Sequence, residues 1–234
     1  MATHISQQFN AELENVLNQV LTMGGVVENH VQSACTAMLE GDVALADRVV
    51  EEDFRVNALE VSIDEQCTNI IARRQPTASD LRLIMMIVKT ITDLERIGDE
   101  AEKVARMAKA LASLDSTKEQ YYEIKHIGEH VRKMLHDALD AFARMDVEAA
   151  ITTAAEDEKI DKEYESIMRQ LITRMMEDPR SIQRSMNVIW AARALERIGD
   201  HSKNICEYVI YLVKGKDVRH VTLEQMKKEI LDIK

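Results

Sequence analysis

A six-residue phrase occurs twice in this 234-residue chain: Leu94-Glu95-Arg96-Ile97-Gly98-Asp99 and Leu195-Glu196-Arg197-Ile198-Gly199-Asp200. The second copy follows the first at an offset of 101, from position 95 to position 196. Six identical residues in order point to internal duplication, so the chain must fold as two equivalent halves. At 3.6 residues per turn the Glu and the Asp of each copy stack on one helix face. Like charges at that spacing repel by a few tenths of a kcal/mol in an exposed helix. A pair kept in both halves asks for a cation: Arg96, Arg197 or a neighbouring basic side chain in one reading, a bound metal ion in the other. Gly98 and Gly199 fall four residues after the leucines, on the apolar seam. A mid-helix glycine costs about 1 kcal/mol relative to alanine, which a close helix approach would explain.

Apolar residues at three-four spacing predict one amphipathic helix over about 5–40, with Phe9, Leu13, Val16, Val20, Met23 and Val27 inward. Gly41 is placed to end it and Asp42 to cap a second helix reaching Gln75-Pro76. Thr77 and Asp80 suggest a capping box opening a third helix over about 78–112. The second half repeats the plan: helices over about 117–144, from the Asp146 cap to about Met176, and from 180 to 213, with Glu177-Asp178-Pro179 as the break and Gly215 as the stop. A last short helix is expected after Thr222, with Gln225 as its capping partner. The fold class is therefore all-α: two tandem antiparallel three-helix bundles, over 1–115 and 116–215, with a C-terminal extension over 216–234. A single six-helix bundle satisfies the same periodicity.

Two prolines, seven glycines and 4% aromatic residues suit helices throughout. A formal charge of -11 argues against nucleic acid, whose affinity comes from Lys and Arg, and is compatible with metal cations or basic protein surfaces. Cys35, Cys67 and Cys206 form no C-x-x-C pair and read as core thiols of a reducing compartment. The polar N-terminus carries no secretory pattern, and the longest aliphatic run, 83–88, is far below membrane-spanning length. A soluble, cytoplasmic protein is expected.

A second acidic pair, Asp157 and Asp161, is spaced like the first, and Asp53 and Asn57 stand 104 positions before it. The middle and third helices of each half run antiparallel, so the two pairs can meet across one seam as a carboxylate cluster. Oxygen donors without thiols suit Mg²⁺, Mn²⁺ or iron.

At these residues the chain resembles the PhoU family of phosphate-signalling regulators. The similarity also covers Arg73 to Arg82, Met134 to Asp137, Leu139 to Asp146 and Tyr211 to Gly215, and so nearly the whole chain. The resemblance implies tandem three-helix bundles and a cytoplasmic adaptor without catalysis that restrains phosphate-starvation genes. It implies as partners the sensor histidine kinase of the phosphate response and the ATPase subunit of the phosphate ABC transporter, a homodimer, and contact with the membrane only through those partners. It further implies metal on Asp53, Glu95 and Asp99 in the first half and on Asp157, Asp161, Glu196 and Asp200 in the second. The ion expected is Mg²⁺, Mn²⁺, iron or Zn²⁺, none of them required by the sequence. The first half departs from the family pattern at Asn57, where a carboxylate is usual, and at Lys103, which can itself neutralise Asp99. The second half keeps Asp161 and has Asn204, which favours the second half as the metal site.

Other readings draw on other residues. His126 and His130 have zinc spacing, but Ile127 directly follows the first His in place of the Glu that metalloprotease chemistry requires, and they read as surface positions. Glu123 to His126 is the single Glu-x-x-His, short of what a ferritin-like carboxylate-bridged metalloenzyme needs. A metal-storage bundle is the further alternative. Met85 and Met86 suit the core or an adaptable partner surface. Arg73, Arg74 and Arg82 around the first turn either cap helices and pair with local acids or dock an acidic partner.

Overall fold

The computed structural model describes residues 7–114, 122–219, 221, 225 and 226. Gly41 closes α1 (Gln7–Glu40) in left-handed backbone at φ 71°, a region open to glycine at little cost. Asp42 then accepts the Leu45 N–H at 2.9 Å and opens α2 (Val43–Glu52), which leads into α3 (Phe54–Arg74). Gln75, also left-handed, ends α3 ahead of Pro76. The first half closes with α4 (Ala78–Ala112). The capping box expected at Thr77 does not form: the Thr77 side chain makes no capping bond, and Ala78 sits at φ 42°.

The second half mirrors the first. Met145, at φ 53°, stands where the first half has Gly41 and closes α5 (Tyr122–Arg144). Asp146 caps α6 (Val147–Ala154) through the Ala149 N–H at 3.0 Å, and α7 (Asp157–Glu177) follows. A 3-10 turn at Pro179–Ser181 leads into α8 (Ile182–Lys214), which Gly215 stops at φ 71°. Gln225 and Met226 are helical; the rest of the helix expected after Thr222, and the boundary placed at 115/116, lie outside the described residues.

The middle helix of each half is broken where the sequence predicts one rod. At Asp53 a single carbonyl accepts from both Val56 (2.9 Å) and Asn57 (3.3 Å), and at Glu156 one accepts from both Lys159 (2.9 Å) and Ile160 (3.3 Å). These shared bonds tighten one turn and redirect the axis. Apolar periodicity continues on either side, so the pattern of side chains carries no sign of the break.

Within each half the third helix is central: α4 packs on α1, α2 and α3, and α8 packs on α5, α6 and α7. The halves then join through their own central helices, antiparallel. As α4 advances through Arg82, Lys89, Asp93 and Glu100, its partner on α8 recedes through Tyr211, Tyr208, Asn204 and Arg197. The first helices cross as well, with Gly24 against Leu139 and Gly128 against Cys35; a Cβ on Gly24 would stand 2.7 Å from a Leu139 methyl. One continuous apolar core runs through both bundles. The architecture is thus two three-helix bundles side by side with a shared interior.

Candidate functional site

Gly98 lets the broken middle helix lie directly on α4. A Cβ there would meet Asp53 Oδ1 at 3.3 Å and Val56 Cγ1 at 3.3 Å. The break therefore delivers Asp53 to the helix carrying Glu95 and Asp99. Asp53 Oδ2 accepts from the Asn57 amide at 3.1 Å, while Oδ1 is buried without a hydrogen-bond partner. Burial, then the charges of Asp99 and Glu102, hold the Asp53 carboxyl above its ordinary range. Glu95 is raised by burial, then by Asp99, Glu60 and Asp53. Glu60 on α3 is raised by burial too, with Asp64 and Asp99 adding to the shift and Thr92 opposing it. Glu60 was not singled out from the sequence. The signal lay in the Asp53, Asn57, Glu60, Asp64 spacing, which puts all four on one stripe of the helix surface.

The second half builds the same centre and fills it differently. A Cβ on Gly199 would meet Ile160 Cδ1 at 3.2 Å and Asp157 Oδ1 at 3.7 Å. Asp157 is buried; its Oδ2 takes a charge-assisted bond from Lys203 Nζ at 2.7 Å and its Oδ1 is unpartnered. Glu196, pushed up to about 7 by burial and then by Asp200, bonds Arg193 at 2.5 Å through Oε1. Asp161 and Asp200 are both raised, by burial first and then by Asp157. Lys203 stands at the place of Glu102, and Arg193 at the place of Thr92. Arg193 also lies over the Tyr164 ring, 5.6 Å from its centroid, where the first half has Glu60.

The seven candidate carboxylates are thus divided between two centres, one per half. In the first, acids face acids; in the second, two cations already occupy the acids. Lys103 turns away from Asp99 onto Glu100 at 2.9 Å, and Arg197 crosses to Glu100 at 2.8 Å. Among the described residues no three His, Cys, Asp or Glu side chains stand as a ready coordination sphere. A divalent ion would have to draw the carboxylates inward, and the first centre has the larger uncompensated charge to reward that movement.

Asp93, one turn before Ile97 on the same helix, was not marked by any motif. It is buried, and accepts from Tyr208 Oη at 2.7 Å, Asn204 Nδ2 at 3.1 Å and His201 Nδ1 at 2.7 Å. All three donors come from α8, so this carboxylate ties the halves together. Sequence reasoning missed it because the duplicated position is Ala194 and the partners lie more than a hundred residues away.

The three arginines do not form one surface. Arg74 makes a bidentate pair with Glu12 (2.9 and 2.6 Å), Arg82 lies over the Tyr211 ring at 5.9 Å, and Arg73 lines a shallow cleft with Asn15, Gln66 and Asn69. His130 lies 3.0 Å from Glu163, and His126 is exposed. Burial pushes the Cys35 and Cys67 thiols up to about 12 and Cys206 higher still, as core thiols require. Among the described residues no helix is long and apolar enough to cross a membrane.

Comparison with known proteins matches the PhoU domain twice, over residues 20–108 and 124–209. The chain is 56% identical over 227 residues to the Pseudomonas putida phosphate-specific transport system accessory protein PhoU homolog, covering 97% of this chain and 89% of that one. It is 52% identical over 229 residues to the accessory protein PhoU of Escherichia coli K12, covering 96% and 93%. The crystal structure of PhoU from Pseudomonas aeruginosa superposes with a TM-score of 0.87 at 54% identity, over 89% of this chain and all (100%) of that one. That of the phosphate transport system regulatory protein PhoU from Streptococcus pneumoniae gives 0.83 at 29% identity, over 90% and 99%.

Proposed function

The chain belongs to the PhoU family, and from that premise we propose that it is a non-catalytic accessory and regulatory protein of a phosphate-specific transport system. The observation that carries this reading is identity above half over nearly the full length of relatives named as accessory proteins of that system. In this reading the chain reports phosphate status from the transporter's ATPase subunit to the sensor histidine kinase and holds the kinase inactive when phosphate is plentiful. Such control is a population shift and requires different affinity for the two kinase states. Two bundles set side by side, each with outer helices turned to solvent, support binding to two partners. The test is a phosphate-starvation reporter in a deletion strain grown with abundant phosphate. Constitutive expression silenced by the intact gene is expected; a reporter that stays silent in the deletion would end the regulatory reading.

A second reading concerns the carboxylate centres and is supported by the orphaned Asp53 Oδ1. In it a divalent cation binds in the first half through Asp53, Glu95 and Asp99, with Glu60 as a further donor. The second set, Asp157, Asp161, Glu196 and Asp200, takes an ion only by displacing Lys203 and Arg193.

A further inference from the structure

The α7–α8 hairpin exposes large apolar side chains close to its turn, among them the tryptophan. On α8, Ile182, Met186 and Trp190 follow one another at four-residue spacing and are all exposed, Trp190 by 57%. That spacing keeps them within one stripe of the helix. On α7, Ile172 and Met176 are likewise four apart, and Met176 is 80% exposed. The two helices face each other through Ile160 against Gly199, Asp157 against Lys203 and Tyr164 against Arg193. Measured from those facing residues, both stripes are rotated by roughly a quarter turn in the same sense along the chain at about 100° per residue. In an antiparallel pair, equal rotation in the same sense brings both stripes to the same side. They make one patch of five large apolar side chains.

The charge around it runs against the rest of the molecule. Between 169 and 193 the chain carries five arginines (169, 174, 180, 184 and 193) against Glu177 and Asp178, a local excess of +3 in a chain of -11. Arg180 and Arg169 project with side chains 92% and 70% exposed, each beside a single acid, Asp178 and Glu165. Exposed ion pairs of this kind hold weakly and exchange for a competing carboxylate at little cost. A second copy of this chain is a poor occupant, since it would set one arginine rim against another.

We propose that this patch docks an acidic amphipathic helix of a partner protein, its apolar face on Trp190, Met186, Ile182 and Met176 and its flanking carboxylates on Arg169 and Arg180. The mode is helix-in-groove recognition with a central aromatic anchor, in which methionines adapt to the incoming side chains. It uses residues that neither the carboxylate centres nor the arginines of the first turn involve.

Trp190 is the sole tryptophan, so intrinsic fluorescence reads the patch directly. The probe is a designed helical peptide with leucine on one face and glutamate on the flanks, beside a lysine-flanked twin of the same apolar face. The full chain should show a saturable blue shift with the acidic peptide. Affinity should fall at least tenfold with Met186→Asp or with Arg169→Glu/Arg180→Glu, and should weaken with added salt. Circular dichroism on the variants checks folding, and Met85→Asp, the equivalent place in the first half, should leave binding unchanged. Equal binding of both peptides, no shift with either, a shift produced by anionic phosphatidylglycerol vesicles but not by the peptide, or one produced by raising protein concentration alone would overturn the proposal. None of these outcomes bears on the reporter experiment, so the two readings fail separately.

Discussion

Gly98 and Asp53 are fitted to each other: the missing side chain of one leaves room for a carboxylate oxygen of the other, 3.3 Å from where a Cβ would stand. Gly199 and Asp157 repeat the relation more loosely, at 3.7 Å. The glycines, the helix breaks and the acids therefore form one construction, made twice. Alanine at position 98 asks a shift of a few tenths of an ångström from its neighbours, offset by about 1 kcal/mol of helix preference. Gly98→Ala should be nearly neutral and Gly98→Val should cost about 2–3 kcal/mol in urea denaturation. Equal stability of the two variants would show that the helices do not press together there.

Lys203 and Asp157 form the cation plug of the second centre. Lys203→Met leaves a buried carboxylate with neither oxygen paired and should cost about 2 kcal/mol, discounted for the partial exposure of the lysine. Adding Asp157→Asn should recover most of the loss. If the double variant is no more stable than the single one, the pair is not coupled.

Asp93 should matter more than its ordinary neighbours suggest. Asp93→Ala strands three α8 donors and should cost about 3 kcal/mol or more, whereas Tyr208→Phe removes one donor and should cost about 1 kcal/mol. Denaturation of the two variants side by side tests this. Similar values for both would mean that the halves are held together by apolar packing alone.

Stability should fall as pH rises from 5 to 8. Burial raises Glu207 to about 7 against 4.5 for an ordinary glutamate, despite Lys203 and Arg219 pulling the other way. A carboxyl whose folded value is the higher one binds its proton more tightly when folded. Its contribution is complete below the unfolded value and is lost as pH rises through the folded one. The loss is at most about 3 kcal/mol. Asp53, Glu60, Glu95, Asp161 and Glu196 are displaced in the same direction. Glu207→Gln should flatten the profile and stabilise the chain at pH 8; an unchanged slope would remove Glu207 from this account.

Manganese titration followed by calorimetry separates the two centres. Binding should depend on Asp53, Glu60, Glu95 and Asp99, be lost when Asp53 and Asp99 are replaced by Asn, and gain a second site in Lys203→Ala/Arg193→Ala. Heat that survives changes in the first half but vanishes with Asp161→Ala and Asp200→Ala would reverse the assignment. No heat above buffer would remove the metal reading altogether.

The repeated phrase, the apolar periodicity and the punctuation at Gly41, Asp42, Pro76, Asp146 and Gly215 made the helices, their order and the duplication readable, because each is a local property of the backbone and its nearest neighbours. The carboxylate pairs and the seam glycines were legible for the same reason. Whether cations already serve those carboxylates was decided by tertiary contacts. Lys103 lies one turn from Asp99 yet turns to Glu100, whereas Lys203 reaches across from α8 to Asp157. The breaks at Asp53 and Glu156 and the three-donor lock on Asp93 belong to the same class. They arise where one helix crosses another, and a residue's spacing along its own helix does not say which residues of a distant helix will lie opposite.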